Sequence, residues 1–367
     1  MLCRIGQKNF ATQSTRIILH VPQRSLYQEC CHALQTARIG YKPYFYFNMI
    51  LLPVKEESLL RLIRKHAEVG VVELDQPVHH APIRSGGAQN QDPLWNLKAI
   101  DALSLPINQL PYRPKIGVID TGISSHRDLT VLRKWGRNFV TPHGRTYDDN
   151  GHGTHVAGII AAKRGPRDSF GVARGFPLIP LKAFNDQGMA FTSDIIASIE
   201  YAIRHRIKIL NMSFGFERTQ ASMHQAIRAA YQNGMIMVTA AGNTGRQGVD
   251  YPARYPETIT VTSMNQQHTI STFSSFGGQV DLAAPGEGII STWRHHRYQT
   301  LSGTSMAAAH VSGVIALLCA RYPKLTSQEA LHILKRTAHP LPHMSHLRQG
   351  AGVVQAKSAL QYLEQIL

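Results

Sequence analysis

From residue 115 onward, short apolar segments alternate with helical patterns, and this alternation constrains the fold more than any other feature of the sequence. The strand-like segments cover residues 115–120, 178–184, 207–214, 235–241 and 258–263. The clearest helical patterns between them cover residues 193–205 and 220–233. Continuously apolar strands separated by helices predict a parallel sheet covered by helices on both faces. We therefore expect an α/β domain whose reactive side chains collect at the carboxyl ends of its strands.

The N-terminal part of the chain has a different pattern. It predicts a strand over residues 16–21, a helix over 25–37, a strand or strand pair over 44–54, a helix over 56–68 and a strand over 71–76. This order is typical of a small α+β unit. A polar, glycine-rich linker follows at residues 85–93. We therefore predict two domains, with residues 1–88 forming the small domain and its linker and residues 89–367 the large one.

Composition limits the compartment and the class of protein. The chain has 367 residues, of which 43% are hydrophobic and 17% charged, as in ordinary globular proteins. Its longest apolar run, residues 44–54, is shorter than the about 20 residues that span a membrane, so we expect no membrane partner.

Residues 1–15 lack the apolar segment of a signal peptide, and four cysteines are too few to crosslink such a chain. We expect a cytoplasmic protein, or a secreted one if the true start lies upstream.

The chain is basic throughout and carries no dense basic tract. It has 39 lysines and arginines against 23 acidic residues, which gives a formal net charge of +16. Because the basic residues are scattered and rarely alternate with aromatic ones, the charge favours a solvated basic surface. We therefore expect no nucleic-acid partner.

Four polar residues stand at points where the pattern changes from strand to loop or helix. Asp120 ends the first apolar strand, His152 opens a helix of small residues, Asn243 follows a strand, and Ser305 opens a long apolar helix. Each has an ordinary structural explanation when it is taken alone. The aspartate and asparagine are common turn formers, the histidine is a cap or core residue, and the serine is an N-cap.

A metal site is the other chemical interpretation of the histidine segment. His152 and His155 are three residues apart and lie near one face of the predicted helix. The segment lacks the glutamate of an HExxH zinc motif, so we favour a single catalytic histidine over a metal pair.

Taken together, the four residues and their surroundings resemble the subtilisin-like serine proteases, from about residue 91 to the C-terminus. The motifs that carry the resemblance are Asp120-Thr121-Gly122, the segment from Asp149 to Gly158, Asn211-Met212-Ser213-Phe214-Gly215, Tyr251-Pro252-Ala253-Arg254-Tyr255-Pro256, Ala284-Pro285-Gly286 and the segment from Leu301 to Gly313. The resemblance implies that Ser305 is the nucleophile, that His152 is its general base and acid, and that Asp120 orients the imidazole. It also implies that Asn243 and the Ser305 N–H form the oxyanion hole.

The N-terminal unit resembles the inhibitory propeptide of the same family, a ferredoxin-like α+β domain. The resemblance implies an intramolecular inhibitor that is removed between Pro82 and Asp92. An unrelated accessory domain is the alternative.

The resemblance also implies how polypeptide substrates bind. An extended substrate would add a strand between two segments, made by Ser213, Phe214 and Gly215 on one side and by Gly188, Met189 and Ala190 on the other. The primary pocket would lie beside Gly242, with Asp250 at its floor. A carboxylate there would favour Arg or Lys before the scissile bond, and Arg84 would suit such a pocket as the self-cleavage site. The alternative is that Asp250 is a solvated loop acid.

One feature of the family is weakened in this sequence. The resemblance implies a calcium site that includes Gln91 and Asp128, but glycine replaces the expected asparagine in a loop, residues 163–168, that carries three cationic side chains. Positive charge opposes binding of a cation by oxygen ligands. We expect that no cofactor is required and that calcium is at most an accessory.

These observations predict a serine endopeptidase that hydrolyses peptide bonds through an acyl-enzyme. A binding protein that keeps the fold but not the activity is the alternative from another functional class.

Overall fold

The computed structural model describes residues 15–54, 70–80, 84–85, 92–165 and 169–366. The chain divides into two compact units, one made of the residues up to Gln76 together with Gln220–Ala226, and the other made of Pro77–Thr219 and Ile227–Leu367. The division is structural, and the predicted functional boundary near residue 88 remains a prediction. The helix predicted over residues 56–68 lies outside the described residues.

The first unit is a four-stranded antiparallel sheet with one described helix. Its elements are β1 (Thr15–His20), α1 (Arg24–Thr36), β2 (Lys42–Tyr44), β3 (Met49–Val54) and β4 (Val71–Leu74). The strand order is β2-β3-β1-β4. Ile17 and Leu19 of β1 pack with Tyr27 of the helix, and Ile18, whose side chain points to the opposite face of the strand, is buried as well. The unit has the α+β architecture that the sequence predicts.

The second unit contains the remaining strands and most of the helices. Its strands are β5 (Pro77–His79), β6 (Arg84–Ser85), β7 (Ile116–Asp120), β8 (Thr130–Val131), β9 (Arg137–Asn138), β10 (Pro177–Lys182), β11 (Met189–Phe191), β12 (Ile209–Met212), β13 (Ile236–Ala240), β14 (Ile259–Met264), β15 (Leu282–Pro285), β16 (Ile289–Thr292) and β17 (Tyr298–Ser302). The described helices are α2 (Trp95–Ala99), α3 (His152–Ala161), α4 (Thr192–Arg204), α5 (Ala221–Gln232), α6 (Thr304–Arg321), α7 (Ser327–Thr337), α8 (His346–Gln349) and α9 (Ala356–Ile366). The start of α5, up to Ala226, belongs to the first unit.

A parallel sheet forms the centre of the second unit. Its strands run in the order β15-β14-β13-β12-β7-β10-β8, and β9 also pairs with β10. Every residue of β7, β12, β13 and β14 is buried, which explains why these strands are apolar on both faces. The predicted α/β fold is therefore correct, and the carboxyl ends of β7 and β13 carry Asp120 and, three residues beyond β13, Asn243.

Helix α6 packs against this sheet and against α3. Residues Thr304–Arg321 are long and apolar enough to cross a membrane by length and composition alone, but 94% of that segment is buried inside the structure. Its apolar surface is therefore accounted for by packing in the core.

Candidate active site

Asp120 and His152 form a buried hydrogen-bonded pair. The carboxylate stands at the end of β7 and the imidazole at the first residue of α3, and His152 Nδ1 lies 2.9 Å from both Asp120 oxygens. The Thr121 N–H donates to the same carboxylate at 2.7 Å. Both side chains are almost completely inaccessible to solvent, so the pair is shielded from competing water.

The surroundings keep Asp120 ionised. Burial alone would raise the pKa of its carboxyl, but the nearby imidazoles of His152 and His80 and the hydrogen bonds from His152 and Thr121 outweigh burial and lower it. A carboxylate held in its charged form fixes the proton of His152 on Nδ1 and leaves Nε2 as the basic nitrogen.

Asp148 fixes the start of the helix that carries His152. Its carboxylate accepts hydrogen bonds from the N–H groups of Gly151 at 2.7 Å and Thr154 at 2.9 Å, and from the hydroxyl of Thr121 at 2.8 Å. An acidic side chain at a helix N-terminus satisfies amides that have no intrahelical acceptor. The sequence analysis missed this positioning role, although an acidic pair just before a predicted helix was a usable signal.

Lys182 supports the neighbouring loop and was also missed. Its buried ammonium donates to the Thr121 carbonyl and to Asp149 Oδ1, each at 2.7 Å, and to the Phe184 carbonyl at 3.0 Å. It therefore links the two loops that follow β7 and β10, next to Asp120.

Ser305 lies at the second position of α6, and its hydroxyl donates to the Ser213 carbonyl at 3.1 Å. His152 Nε2 is buried and has no hydrogen-bond partner among the described residues. The hydrogen bond expected between Ser305 and His152 is therefore not formed in this structure, because the Ser213 carbonyl takes the hydroxyl. Rotation about the Cα–Cβ bond of Ser305 changes that partner without moving the backbone.

Asn243 is oriented by the residue that precedes Ser305. Its Oδ1 accepts hydrogen bonds from the Thr304 N–H at 2.9 Å and the Thr304 hydroxyl at 2.8 Å. The amide nitrogen lies on the other side, 3.2 Å from where a Cβ on Gly303 would stand. As the second residue of α6, Ser305 presents an N–H that no carbonyl within the helix accepts. The loop after β13 and the start of α6 thus bring two N–H donors to one place.

A segment of the chain itself lies along the predicted substrate-binding strands. Strand β5 pairs with β11 in antiparallel register, with Met189 opposite His79 and Ala190 opposite Val78. On its other side His79 forms a bridge with Gly215, and the His80 N–H donates to the Gly188 carbonyl at 3.0 Å. The structure therefore brings the two predicted segments together on either side of an extended strand.

Two more of the predicted binding residues lie just behind this strand. The Ser213 carbonyl holds the Ser305 hydroxyl, and the buried ring of Phe214 packs against Phe184, with ring centroids 5.2 Å apart.

His80 places a second imidazole against the catalytic pair, which the sequence analysis did not foresee. Its ring centroid lies 4.2 Å from that of His152 and 4.3 Å from that of Phe184. Neither ring nitrogen has a hydrogen-bond partner among the described residues, and Nε2 lies 3.6 Å from Asp120 Oδ1. Burial, reinforced by the His152 imidazole, lowers the pKa of His80 to about 3.

Past the catalytic residues, the chain pairs with another strand. In β6, Arg84 lies opposite Ser302 and Ser85 opposite Leu301. The Arg84–Ser85 peptide bond thus runs along β17. The expectation that Arg84 precedes the self-cleavage site stays a prediction.

Asp250 lies between two glycines of the predicted pocket. A Cβ atom on Gly215 would meet its Oδ2 at 2.7 Å, and one on Gly242 would come closer still. The carboxylate is half-buried and makes no hydrogen bond or ion pair with a described residue. Burial raises the pKa of Asp250 to about 6; Glu217 adds to the rise and Arg254 opposes it. Asp250 thus lies against two glycines of the predicted pocket, and its role in substrate selection stays a prediction.

The surroundings of Asp128 do not resemble a cage for calcium. Its Oδ2 accepts the Tyr298 hydroxyl hydrogen bond at 2.5 Å, and the Arg127 guanidinium lies 4.0 Å away. Proton donors and a cation compete with a metal for this carboxylate. Gln91, the other predicted ligand, lies outside the described residues.

His155 does not join His152 in a metal pair. Its Nε2 lies within hydrogen-bonding distance of two backbone carbonyls, those of Ile289 at 3.1 Å and Gln299 at 2.9 Å. Burial lowers its pKa to about 3, as is typical of a neutral core histidine.

Comparison with known proteins decides the family. Residues 113–352 match the model of the subtilase family. The chain belongs to the subtilases.

A thermostable alkaline protease of Halalkalibacterium halodurans is 39% identical over 247 residues, which are 67% of either chain. Subtilisin DY of Bacillus licheniformis is 37% identical over 252 residues, which cover 67% of this chain and 90% of that protein. Alkaline elastase YaB of a Bacillus strain is 34% identical over 296 residues, which cover 80% and 76%. This subtilase is a subtilisin-like serine endopeptidase.

Proposed function

We propose that peptide-bond hydrolysis proceeds through an acyl-enzyme on Ser305, with His152 as general base and then general acid. A serine hydroxyl is a weak nucleophile near neutral pH, so it needs a base that accepts its proton as it attacks. His152 Nε2 takes that proton, the carbonyl carbon becomes tetrahedral, and the same proton passes to the leaving amine. Water then repeats the sequence on the ester and releases the acid product.

Asp120 fixes the position of the proton on the His152 imidazole. Its ionised carboxylate accepts the Nδ1 proton, which keeps Nε2 in the basic form, and it stabilises the imidazolium that forms during attack. The observation that carries the proposal is the buried Asp120–His152 pair beside an extended cleft lined by backbone groups. The remaining imidazole nitrogen of that pair, His152 Nε2, has no partner among the residues that the structure describes.

The oxyanion is stabilised by Asn243 and by the Ser305 N–H. The amide oxygen of Asn243 is occupied by Thr304, so its nitrogen is the end that faces a substrate oxygen. Donors fixed before the reaction stabilise the charge that develops without further reorganisation.

The proposed substrates are polypeptides in extended form, with Arg or Lys before the scissile bond. The Asp250 carboxylate lies half-buried between Gly215 and Gly242 and lacks a partner among the described residues. A cationic side chain entering from a substrate would supply that partner. The similarity to known proteases does not support this preference, which rests on Asp250 alone.

We further propose that the N-terminal unit and the segment after it act as an intramolecular inhibitor. The position of Pro77–His80 along β11 supports this role, because a strand that occupies the cleft excludes other polypeptides. The reaction as derived needs no metal or organic cofactor, since every proton and charge is handled by side chains and backbone N–H groups.

Hydrolysis of matched peptides by the purified chain tests the proposal. The peptides differ only in the residue before the scissile bond, which is Arg, Lys, Leu or Phe. We expect turnover by wild type, none by Ser305→Ala, and the highest kcat/KM with Arg and Lys. Asp250→Asn is expected to lose that preference while it still turns over the Leu peptide. Peptide binding without hydrolysis by wild type would favour the binding-protein alternative, and equal rates for all four peptides would contradict the role of Asp250.

A further inference from the structure

Among the described residues, His80, Asp120 and His152 form the one cluster of three side chains that could together ligate a metal ion. One ligand atom from each lies within 4.8 Å of the other two. The Asp120 carboxylate is common to both imidazoles, with Oδ1 2.9 Å from His152 Nδ1 and 3.6 Å from His80 Nε2. The side chain of His80 is only 7% exposed, yet neither of its ring nitrogens has a hydrogen-bond partner within the described part of the chain. Unpaired buried imidazole nitrogens are costly unless something binds them.

We propose that the intact chain binds a divalent transition-metal ion of the Zn²⁺ type through His80, Asp120 and His152, and that the bound ion holds the catalytic pair inactive. Imidazole nitrogen and carboxylate oxygen are ligands that Zn²⁺ favours, and three protein ligands with an open fourth position are a common arrangement. Bond lengths of about 2.0–2.1 Å in a tetrahedral site imply separations of roughly 3.3 Å between ligand atoms. From Asp120 Oδ1, the observed distances are 2.9 Å to His152 Nδ1 and 3.6 Å to His80 Nε2, one below and one above that value.

The ion would act on the tautomer of His152. In the catalytic arrangement Nδ1 carries the proton and Nε2 the lone pair. When Nδ1 gives its lone pair to the metal, the ring stays neutral only if the proton moves to Nε2. A protonated Nε2 cannot accept the Ser305 proton, and Asp120, now a metal ligand, no longer accepts one from Nδ1. The metal thus blocks general-base catalysis without touching Ser305.

The site exists only while His80 is held in the cleft. Backbone pairing of β5 with β11 and the bond from the His80 N–H to Gly188 fix that imidazole. Removal of the segment would leave two ligands, which bind Zn²⁺ far more weakly than three. This inhibitory consequence rests on the proposed function, whereas metal binding by the intact chain does not.

Cobalt titration of the full-length Ser305→Ala chain tests the site, because this variant keeps all three ligands. We expect visible absorption bands of tetrahedral Co²⁺ that saturate at one ion per chain and disappear when Zn²⁺ displaces it. His80→Ala and His80→Phe should each weaken this binding at least about tenfold. The phenylalanine variant keeps a ring between His152 and Phe184, so a loss there does not come from an empty cavity.

A neighbouring histidine provides the matched control. The chain has 19 histidines, and His79, the exposed last residue of β5, directly precedes His80. His79→Ala should keep the tetrahedral bands. Absence of these bands in Ser305→Ala, or binding of Co²⁺ by both His80 variants as tight as by Ser305→Ala, would overturn the proposal. Because the titration needs no turnover, it judges the metal site independently of peptidase activity. In the wild-type chain, Zn²⁺ should also slow self-cleavage at concentrations that leave His80→Phe unaffected.

Discussion

The two carboxylates of the cleft, Asp120 and Asp250, have opposite surroundings and opposite pKa shifts. Asp120 is buried, but it accepts hydrogen bonds from His152 and Thr121, and its pKa is lowered below the ordinary value. Asp250 is half-buried between two glycines without a partner among the described residues, and burial raises its pKa to about 6.

This difference in surroundings corresponds to two proposed roles, catalysis for Asp120 and substrate selection for Asp250. The chain itself supplies all the partners of Asp120, so the catalytic pair is complete before a substrate arrives. Asp250, in contrast, would gain a charged partner only from a bound substrate. A half-buried carboxylate without such a partner lowers the stability of the free enzyme. The following predictions test both sides of this comparison.

On the catalytic side, we expect Asn243→Leu to fold normally and to lower kcat by about 10²–10³-fold, the usual loss for one oxyanion donor. KM should change little, because the donor acts on charge that develops only in the transition state. Steady-state kinetics with one peptide measures both. Asn233→Leu, at the exposed end of α5, is the matched control. A normal kcat in Asn243→Leu would remove this residue from the mechanism.

On the pocket side, the preference for Arg over Leu should depend on pH. Protonated Asp250 does not attract a cation, so the ratio of kcat/KM for the two peptides should rise by about tenfold as pH increases through about 6. The ratio cancels every effect of pH that both peptides share. In Asp250→Asn the ratio should be flat, whereas Asp186→Asn, which removes an exposed acid near Gly188, should behave like wild type. A flat ratio in wild type would refute the assignment.

The smallest expected effect is on stability. The Asp250 carboxyl ionises at about pH 6 in the folded chain and near 3.8 when unfolded, so the unfolded state releases its proton first and stability falls between these values. Above pH 6, Asp250→Asn should therefore raise the free energy of unfolding by about 3 kcal/mol, with little gain at pH 4. Denaturant unfolding in the inactive Ser305→Ala background measures this without self-digestion. An equal gain in the free energy of unfolding at both pH values would indicate that the substitution acts through packing and not through charge.

Much of the fold could be predicted because its signals are local. The strands around Asp120 and the helix after Ser305 begin and end within about two residues of the predicted bounds, since continuous apolar runs and small-residue motifs specify them directly. The predicted strand or strand pair over residues 44–54 is two strands, β2 and β3, joined by a turn. The parallel arrangement follows from the same alternation.

What could not be predicted depends on register between distant segments. His80 reaches Asp120 only because β5 pairs with β11, a partner more than 100 positions away in the sequence. The Ser305 hydroxyl bonds to Ser213 for a similar reason, since both belong to segments joined only by the fold. The pairing of Arg84 with Ser302 is a register of the same kind, between segments more than 200 positions apart in the sequence.

Labelling with a fluorophosphonate tests the central claim, that Asp120, His152 and Ser305 act as one catalytic group. After removal of the N-terminal unit, mass spectrometry should find one adduct per chain, on the peptide that contains Ser305. Labelling should fall by several orders of magnitude in His152→Ala and persist in the control variant His155→Gln if that variant folds. Labelling of Ser305 that is equally fast without His152, or a wild-type chain that stays unlabelled after maturation, would contradict the account.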